Sequence, residues 1–361
     1  MLSLDRAKND TSIALDLLRA VAAQMVCVGH AWNVVIGQRN TQAPAWGVLA
    51  FFILSGFVIA HTLSTKSKSI DYGLLRYAVD RISRIYCAYL PAMMFMLLVE
   101  NTISHLGVTP LGSTDWKTFL ANLAMLQIYP GLPFLNFGAS GQTTSIAVEF
   151  HIYFFVGGTW FLCIRRNRVA AMIVAMAFCT LPIAYSLDLS GRALFVLWLA
   201  GFALYFLLSS VTVSRGLGLQ LCAVWLFAIY QSRDFFTPAD PYSLSNYLPL
   251  IFGFGSIVVI SQCTKALIPV ERLVRFFADY SLSLFLIHFV IVIYFSKTFP
   301  QSGVVGFLIV VALSNVLSAI FARFTEAKYK IVADAVYRSL RARVSPRTAK
   351  LLVVNELRST E

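Results

Sequence analysis

Apolar residues run along this chain in long unbroken stretches, not in the stripes of a helix with one face in water. Stretches near 20 residues recur over almost the whole length, which is what a hydrocarbon layer about 30 Å thick demands of a helix. They predict membrane spans near 12–36, 45–64, 85–105, 146–164, 169–187, 192–210, 215–232, 244–262, 281–298 and 303–324. The period-two alternation of a membrane barrel is missing. One further apolar stretch, 116–129, is too short to cross, and Pro130, Gly131, Pro133, Gly138 and Gly141 follow it. It predicts a re-entrant or interfacial helix within an outer loop, 106–145. The expected fold is therefore all-α: a polytopic transmembrane helix bundle of about ten spans over 1–324. Residues 325–361 form a basic tail in which Ile331, Val332, Val336 and Leu340 alternate with Arg338, Arg341 and Arg343. That pattern predicts a short helix lying on anionic lipid, with disorder over 345–361.

Composition sharpens this class. Of 361 residues, 58% are hydrophobic and only 13% charged, against roughly a quarter charged in soluble domains. The net charge of +12 follows the membrane. With the N-terminus in the cytoplasm, 23 Lys and Arg residues fall on inner segments and five on outer ones, while Arg19 lies within the first span. This is the positive-inside pattern, with both termini cytoplasmic, and it argues against a nucleic-acid partner. The first apolar run carries Arg19 and leads straight into a second span, so it reads as a retained helix and not a cleaved signal. Six cysteines without CxxC spacing read as small buried hydrophobes, and no metal site is expected.

Ionisable groups inside a bilayer cost several kcal/mol on insertion scales, so each needs a partner or a task. Arg19 and His30 stand eleven residues apart on the first span, which is three turns plus about 20°, a common face with an axial rise of about 16 Å. The fourth span carries Glu149 at a depth matching His30, with Tyr153 on the same face as Glu149 and His151 on another. His30 is the candidate general base and Glu149 the carboxylate that supports it. Arg81 and Arg84 share a face at the inner mouth of the third span, where guanidinium forks suit phosphate. Ser55-Gly56 reads first as a close-packing pair. Ser55, Tyr153 and Asn33 are also the candidate lining of a substrate pocket. His288 falls in the inner or middle third of the ninth span, and Glu326 is expected to pair with a basic residue at the inner face.

Five runs taken in order resemble the acyltransferase-3 family of bacterial membrane acyltransferases. They are Arg19 with His30, Phe51 to Phe57 (FFILSGF), Arg81 to Tyr86 (RISRIY), Ala147 to Tyr153 (AVEFHIY) and Tyr280 to His288 (YSLSLFLIH). The chain departs from the family where Cys87 replaces proline, Thr144-Ser145-Ile146 replaces Trp-Ser-Leu, and Glu326-Ala327-Lys328 lacks the final proline. The resemblance implies an acyl-CoA donor, usually acetyl-CoA. Arg81 and Arg84 would hold its phosphates, and a polar path along Arg19 and His288 would admit the pantetheine arm. The acceptor implied is a hydroxyl of a cell-surface or exported carbohydrate or glycolipid, modified at the inner (plasma) membrane. Direct attack by the acceptor and an acyl-histidine relay are both open. A transporter is the rival reading, disfavoured because no inverted repeat is visible.

Overall fold

The computed structural model describes residues 4, 8–37, 41–105, 107, 109, 111–133, 135–185, 193–231 and 240–342. The described residues are helical apart from turns, loops and one isolated bridge between Ser113 and Phe137. The helices are α1 (Thr11–Ala31, extended by a π turn over Trp32–Ile36), α2 (Ala43–Lys66), α3 (Leu74–His105), α4 (Trp116–Leu123), α5 (Thr143–Cys163), α6 (Arg168–Ala177) and α7 (Thr180–Ala184). They continue as α8 (Leu194–Ser210), α9 (Arg215–Gln231), α10 (Tyr247–Gln262), α11 (Glu271–Asp279), α12 (Ser281–Thr298), α13 (Gly303–Phe324) and α14 (329–342).

Seven of these segments are long and apolar enough to cross a membrane. They coincide with the predicted spans beginning near 12, 45, 85, 146, 244, 281 and 303. The other three predicted spans are helical but shorter. α8 and α9 have 17 residues each, about 25 Å of rise. The span predicted over 169–187 is broken after Ala177. Pro182 has no N–H for the carbonyl of Phe178, so a continuous helix would lose that bond and clash there. Restarting at Thr180 puts Pro182 in a first turn, where the missing donor costs nothing.

Helix α3 begins eleven residues before the predicted span. It carries Arg76, Arg81 and Arg84 on its first three turns, ahead of the predicted span. At 32 residues and about 48 Å it is longer than a bilayer core is thick. The tail helix α14 docks on its N-terminal end: Arg76 pairs with Asp334 at 2.6 Å and Arg341 with Asp71 at 3.4 Å. Its Ile331, Val332 and Val336 stay exposed. The disorder expected over 345–361 concerns residues outside those described.

At the opposite end, the segment after α3 folds back over the bundle. α4 spans only eight residues, about 12 Å, and Asp115 caps it by accepting from the Thr118 N–H at 2.9 Å. Asn122 ties it down by donating to the Leu135 carbonyl and accepting from the Phe137 N–H. Tyr86 and Tyr89 of α3 donate to the carbonyls of Leu123 and Asn122, both at 2.8 Å. Buried Glu100 accepts from the Ala139 N–H and from the Tyr294 hydroxyl. This mat of buried polar bonds fixes the chain entering α5, and hence the height at which Glu149 sits.

Close packing fixes the lateral position of α2. A Cβ on Gly56 would lie 2.0 Å from the Trp198 carbonyl oxygen, and one on Gly201 equally near that of Ile53. Only hydrogen at both positions lets α2 and α8 touch backbone to backbone, so Gly56 serves packing while its neighbour Ser55 turns into a cavity.

Candidate functional site

Three cavities lie end to end through the bundle. The first opens at the end carrying α14 and is lined by Arg19, Arg84, Asp279, Arg323, Glu326 and Lys330. Arg19 and Arg84 also line the second, together with Arg81, Ser55, Glu149 and Tyr153. Val48, Ser145 and Phe285 border both the second and the third. The third contains His30, Asn33, Gln142 and Thr144. Guanidinium groups therefore crowd one end of this path of adjoining cavities, and an imidazole stands at the other.

The arginines are held differently from one another. Arg84 makes an ion pair with Glu326 at 3.1 Å, and Glu326 also accepts from the backbone N–H and hydroxyl of Ser283, each at 3.1 Å. The basic partner expected for Glu326 is thus Arg84, which binds the α13 end to α3 and α12. Arg19 pairs with Asp16 at 3.0 Å, three residues earlier on the same helix. The i, i+3 spacing of Asp16 and Arg19 puts the two side chains on one helix face, so this pair is legible in the sequence alone. Arg81 has no carboxylate within ion-pair distance among the described residues. Its guanidinium lies over the rings of Tyr77 and Tyr153 at 5.8 and 5.9 Å, and its Nε is buried without a partner. Of the three, it is the one whose donors are least committed.

A chain of hydrogen bonds crosses the second cavity. Tyr153 donates its hydroxyl proton to Glu149, one turn away on α5. Ser55 is then the donor to Tyr153, at 2.9 Å, and the Trp198 indole N–H donates to Ser55 at 3.2 Å. Trp198 is a buried indole whose N–H needs an acceptor. Its part in the site was invisible in the sequence, because nothing along the chain indicates which helix it faces.

His30 does not meet Glu149. The carboxylate is committed to Tyr153 in the second cavity, while the His30 ring lies in the third, beyond Val48, Ser145 and Phe285. Matching depth on two helices left open which way round each helix faces, and that rotation separates the two groups. The neighbours of His30 come from α12: the His288 ring stacks on it with centroids 5.4 Å apart, and Phe289 meets it edge-on at 4.9 Å. His288 is fully buried. Its Nδ1–H donates to the Leu284 carbonyl at 2.8 Å, so its lone pair is on Nε2, which has no partner. Asn33 braces the α1–α2 connection, donating to the Thr41 carbonyl at 3.1 Å and accepting from the Thr41 N–H at 3.3 Å. Gln142, unremarked in the sequence, donates to the Leu286 carbonyl and keeps its Oε1 unbonded beside the third cavity.

Of the remaining histidines, His151 bonds the Ala147 carbonyl among aromatic rings, and His61 faces the Tyr205 hydroxyl at 3.3 Å. Neither lines the path. Among the described residues, no group of three or more His, Cys, Asp or Glu side chains is placed to hold a metal ion.

Residues 12–323 match the family model described as "Acyltransferase domain". Neither the comparison with curated proteins nor that with solved structures gave a match.

Proposed function

From the premise that this chain belongs to the acyltransferase 3 family, and is a membrane acyltransferase, we propose that it moves an acyl group, most simply acetyl, from cytoplasmic acyl-CoA to a carbohydrate hydroxyl on the outer side of the plasma membrane. The observation that supports this reading is the run of three cavities, with Arg19, Arg81 and Arg84 towards one end and His30 towards the other.

In this reading the nucleotide phosphates of the donor meet the basic end, where Arg81 offers the least committed guanidinium. The thioester passes Arg19 and reaches the constriction at Val48 and Phe285, because a narrow pantetheine arm fits where the nucleotide does not. The acceptor hydroxyl sits in the third cavity. Its oxygen attacks the thioester carbonyl carbon as a ring nitrogen of His30 takes its proton. The C–S bond then breaks, the new ester leaves with the acceptor, and the proton passes to the CoA sulfur to give the free thiol. His288 and Phe289 hold the His30 ring in place. Ser55, Tyr153 and Glu149 line the donor side of the constriction, and Asn33 shapes the acceptor side.

The topology that goes with this has ten crossings and both termini cytoplasmic. It is supported by the 23-to-5 division of Lys and Arg, by α8 and α9 nearly reaching spanning length, and by α14 docking beside the α2–α3 connection. A cytoplasmic reporter fused after residue 361 is expected to be active and a periplasmic one silent.

The decisive experiment is transfer of labelled acetyl from acetyl-CoA to surface glycans in membranes carrying His30→Ala. Removing a general base costs roughly 10²–10⁴-fold. The variant is expected to lose transfer by that factor with expression unchanged, while His105→Ala, at the far end of α3, transfers normally. Wild-type transfer by His30→Ala overturns the assignment of the base.

A further inference from the structure

Helix α1 has two working faces. Arg19 and His30 occupy one of them. At 100° per residue, Leu17, Val21, Gln24, Val28 and Trp32 fall within about 80° of one another, centred about 180° away from that first face. These five residues line a fourth, strongly apolar groove, which opens along the side of the bundle. Leu273, Val274 and Phe277 of α11 form its other wall. Leu17, Val21 and Val28 are exposed on a helix with the length and hydropathy of a membrane span, so the groove faces hydrocarbon. Its one long polar side chain, Gln24, is turned inward and donates to Asn315 at 2.6 Å.

Two properties separate this groove from ordinary lipid-facing surface. The first is adjacency to the site. Thr41 lines both the groove and the His30 cavity, held there by its two hydrogen bonds to Asn33. Ala43 on the groove side is followed directly by Pro44 on the cavity side. The second is length. From Leu17 to Trp32 the helix rises about 22 Å, whereas one leaflet contributes about half of the 30 Å core. The groove therefore crosses the midplane and suits a hydrocarbon chain longer than its own leaflet.

We infer that the acceptor is lipid-linked: a long single hydrocarbon chain lies in this groove, its terminus towards Leu17, and its glycan head turns at Thr41 into the cavity of His30. This rests on the acyl-transfer reading, and it places acceptor and donor on opposite faces of one helix until they meet at His30. The chain supplies affinity through buried methylenes, leaving the cavity to select the hydroxyl.

The test uses the full-length protein in phosphatidylcholine nanodiscs with two probes, hexadecyl and octyl glucoside, each carrying a diazirine at the chain terminus. After irradiation, adducts are mapped by mass spectrometry. The hexadecyl probe is expected to label the Leu17–Val21 and Leu273–Phe277 stretches, and the octyl probe the Val28–Trp32 stretch. Val21→Trp and Val28→Trp, which fill the groove, are expected to lower hexadecyl labelling roughly tenfold, whereas Val305→Trp, on the exposed face of α13, leaves it unchanged. Adducts spread evenly over α13 and α1, unaffected by the tryptophans, mean annular lipid and overturn the proposal. Labelling of the Leu17 end by the octyl probe overturns the chain direction. Acetyl-CoA binding, measured by calorimetry on the same preparations, separates the two readings. Its absence in the wild type rejects the acyl-CoA donor whatever the adducts, and its persistence with diffuse adducts rejects only the lipid-linked acceptor.

Discussion

The rings of His30 and His288 stack 5.4 Å apart with 27° between their planes, joining α1 to α12 beside the third cavity. His288 is tied through Nδ1 to the Leu284 carbonyl, so its ring is a fixed wall against which His30 is oriented.

His288→Ala is therefore expected to lower transfer by slackening His30, with a smaller loss than His30→Ala. The double variant is expected to be little worse than His30→Ala alone, since residues acting as a unit do not add. Transfer kinetics on the three variants decide this. Multiplying losses would mean that the two rings act separately.

The arginines are expected to divide by function. Arg81, with no carboxylate partner among the described residues, is predicted to bear on the donor: Arg81→Lys weakens CoA binding, because an ammonium cannot copy a bidentate phosphate contact. Arg84 is held by Glu326, which is only 3% exposed. Breaking a buried pair from one side costs about 3–5 kcal/mol, so Glu326→Gln is expected to lower the melting temperature of the solubilised protein. Calorimetry against CoA and thermal melts measure the two effects independently.

Glu149 belongs to the hydrogen-bond chain through Tyr153, Ser55 and Trp198, and not to His30. Glu149→Gln and Tyr153→Phe are expected to cost similar amounts and to be non-additive with each other. Glu149→Gln and His30→Ala are expected to multiply, as separate sites do. If Glu149→Gln adds nothing to His30→Ala, the carboxylate works through the imidazole after all.

The segment over α4 carries a pH dependence. Hydrogen bonds from the Ser113 and Thr118 hydroxyls, and from the Thr118 N–H, hold the Asp115 carboxyl well below the usual carboxylate range. A depressed folded-state pKa contributes stability that is complete above the unfolded value, near 4, and is lost as pH falls through the folded value. Asp115→Ala is expected to speed limited proteolysis of 111–135 at neutral pH. The wild type should approach the variant only when the pH drops below the ordinary carboxylate range. Equal cleavage of the two at neutral pH would remove Asp115 as the cap of α4.

The sequence by itself determined that the chain is a helical bundle, where seven of its long helices run, that Arg19 and Glu149 lie within apolar spans, and that Arg19 shares a face with His30. Those features follow from local rules: apolar length against bilayer thickness, and the 100° advance of a helix. The same advance puts Leu17, Val21 and Val28 on the opposite face, although only the position of α11 makes that face a groove. Local rules also misplaced two features. The break before Pro182 needed the backbone bond to Phe178 to be counted, and the first turns of α3 fell ahead of the predicted span because their arginines are polar. Which helix each buried group faces was a tertiary matter, since rotation about an apolar helix axis leaves little trace in a segment that is hydrophobic on every side. Packing of Gly56 against the Trp198 carbonyl and Gly201 against that of Ile53 turns Ser55 towards Tyr153. The fold of α12 against α1 gives His30 its neighbour in His288, and the bond from Tyr153 takes Glu149 out of reach.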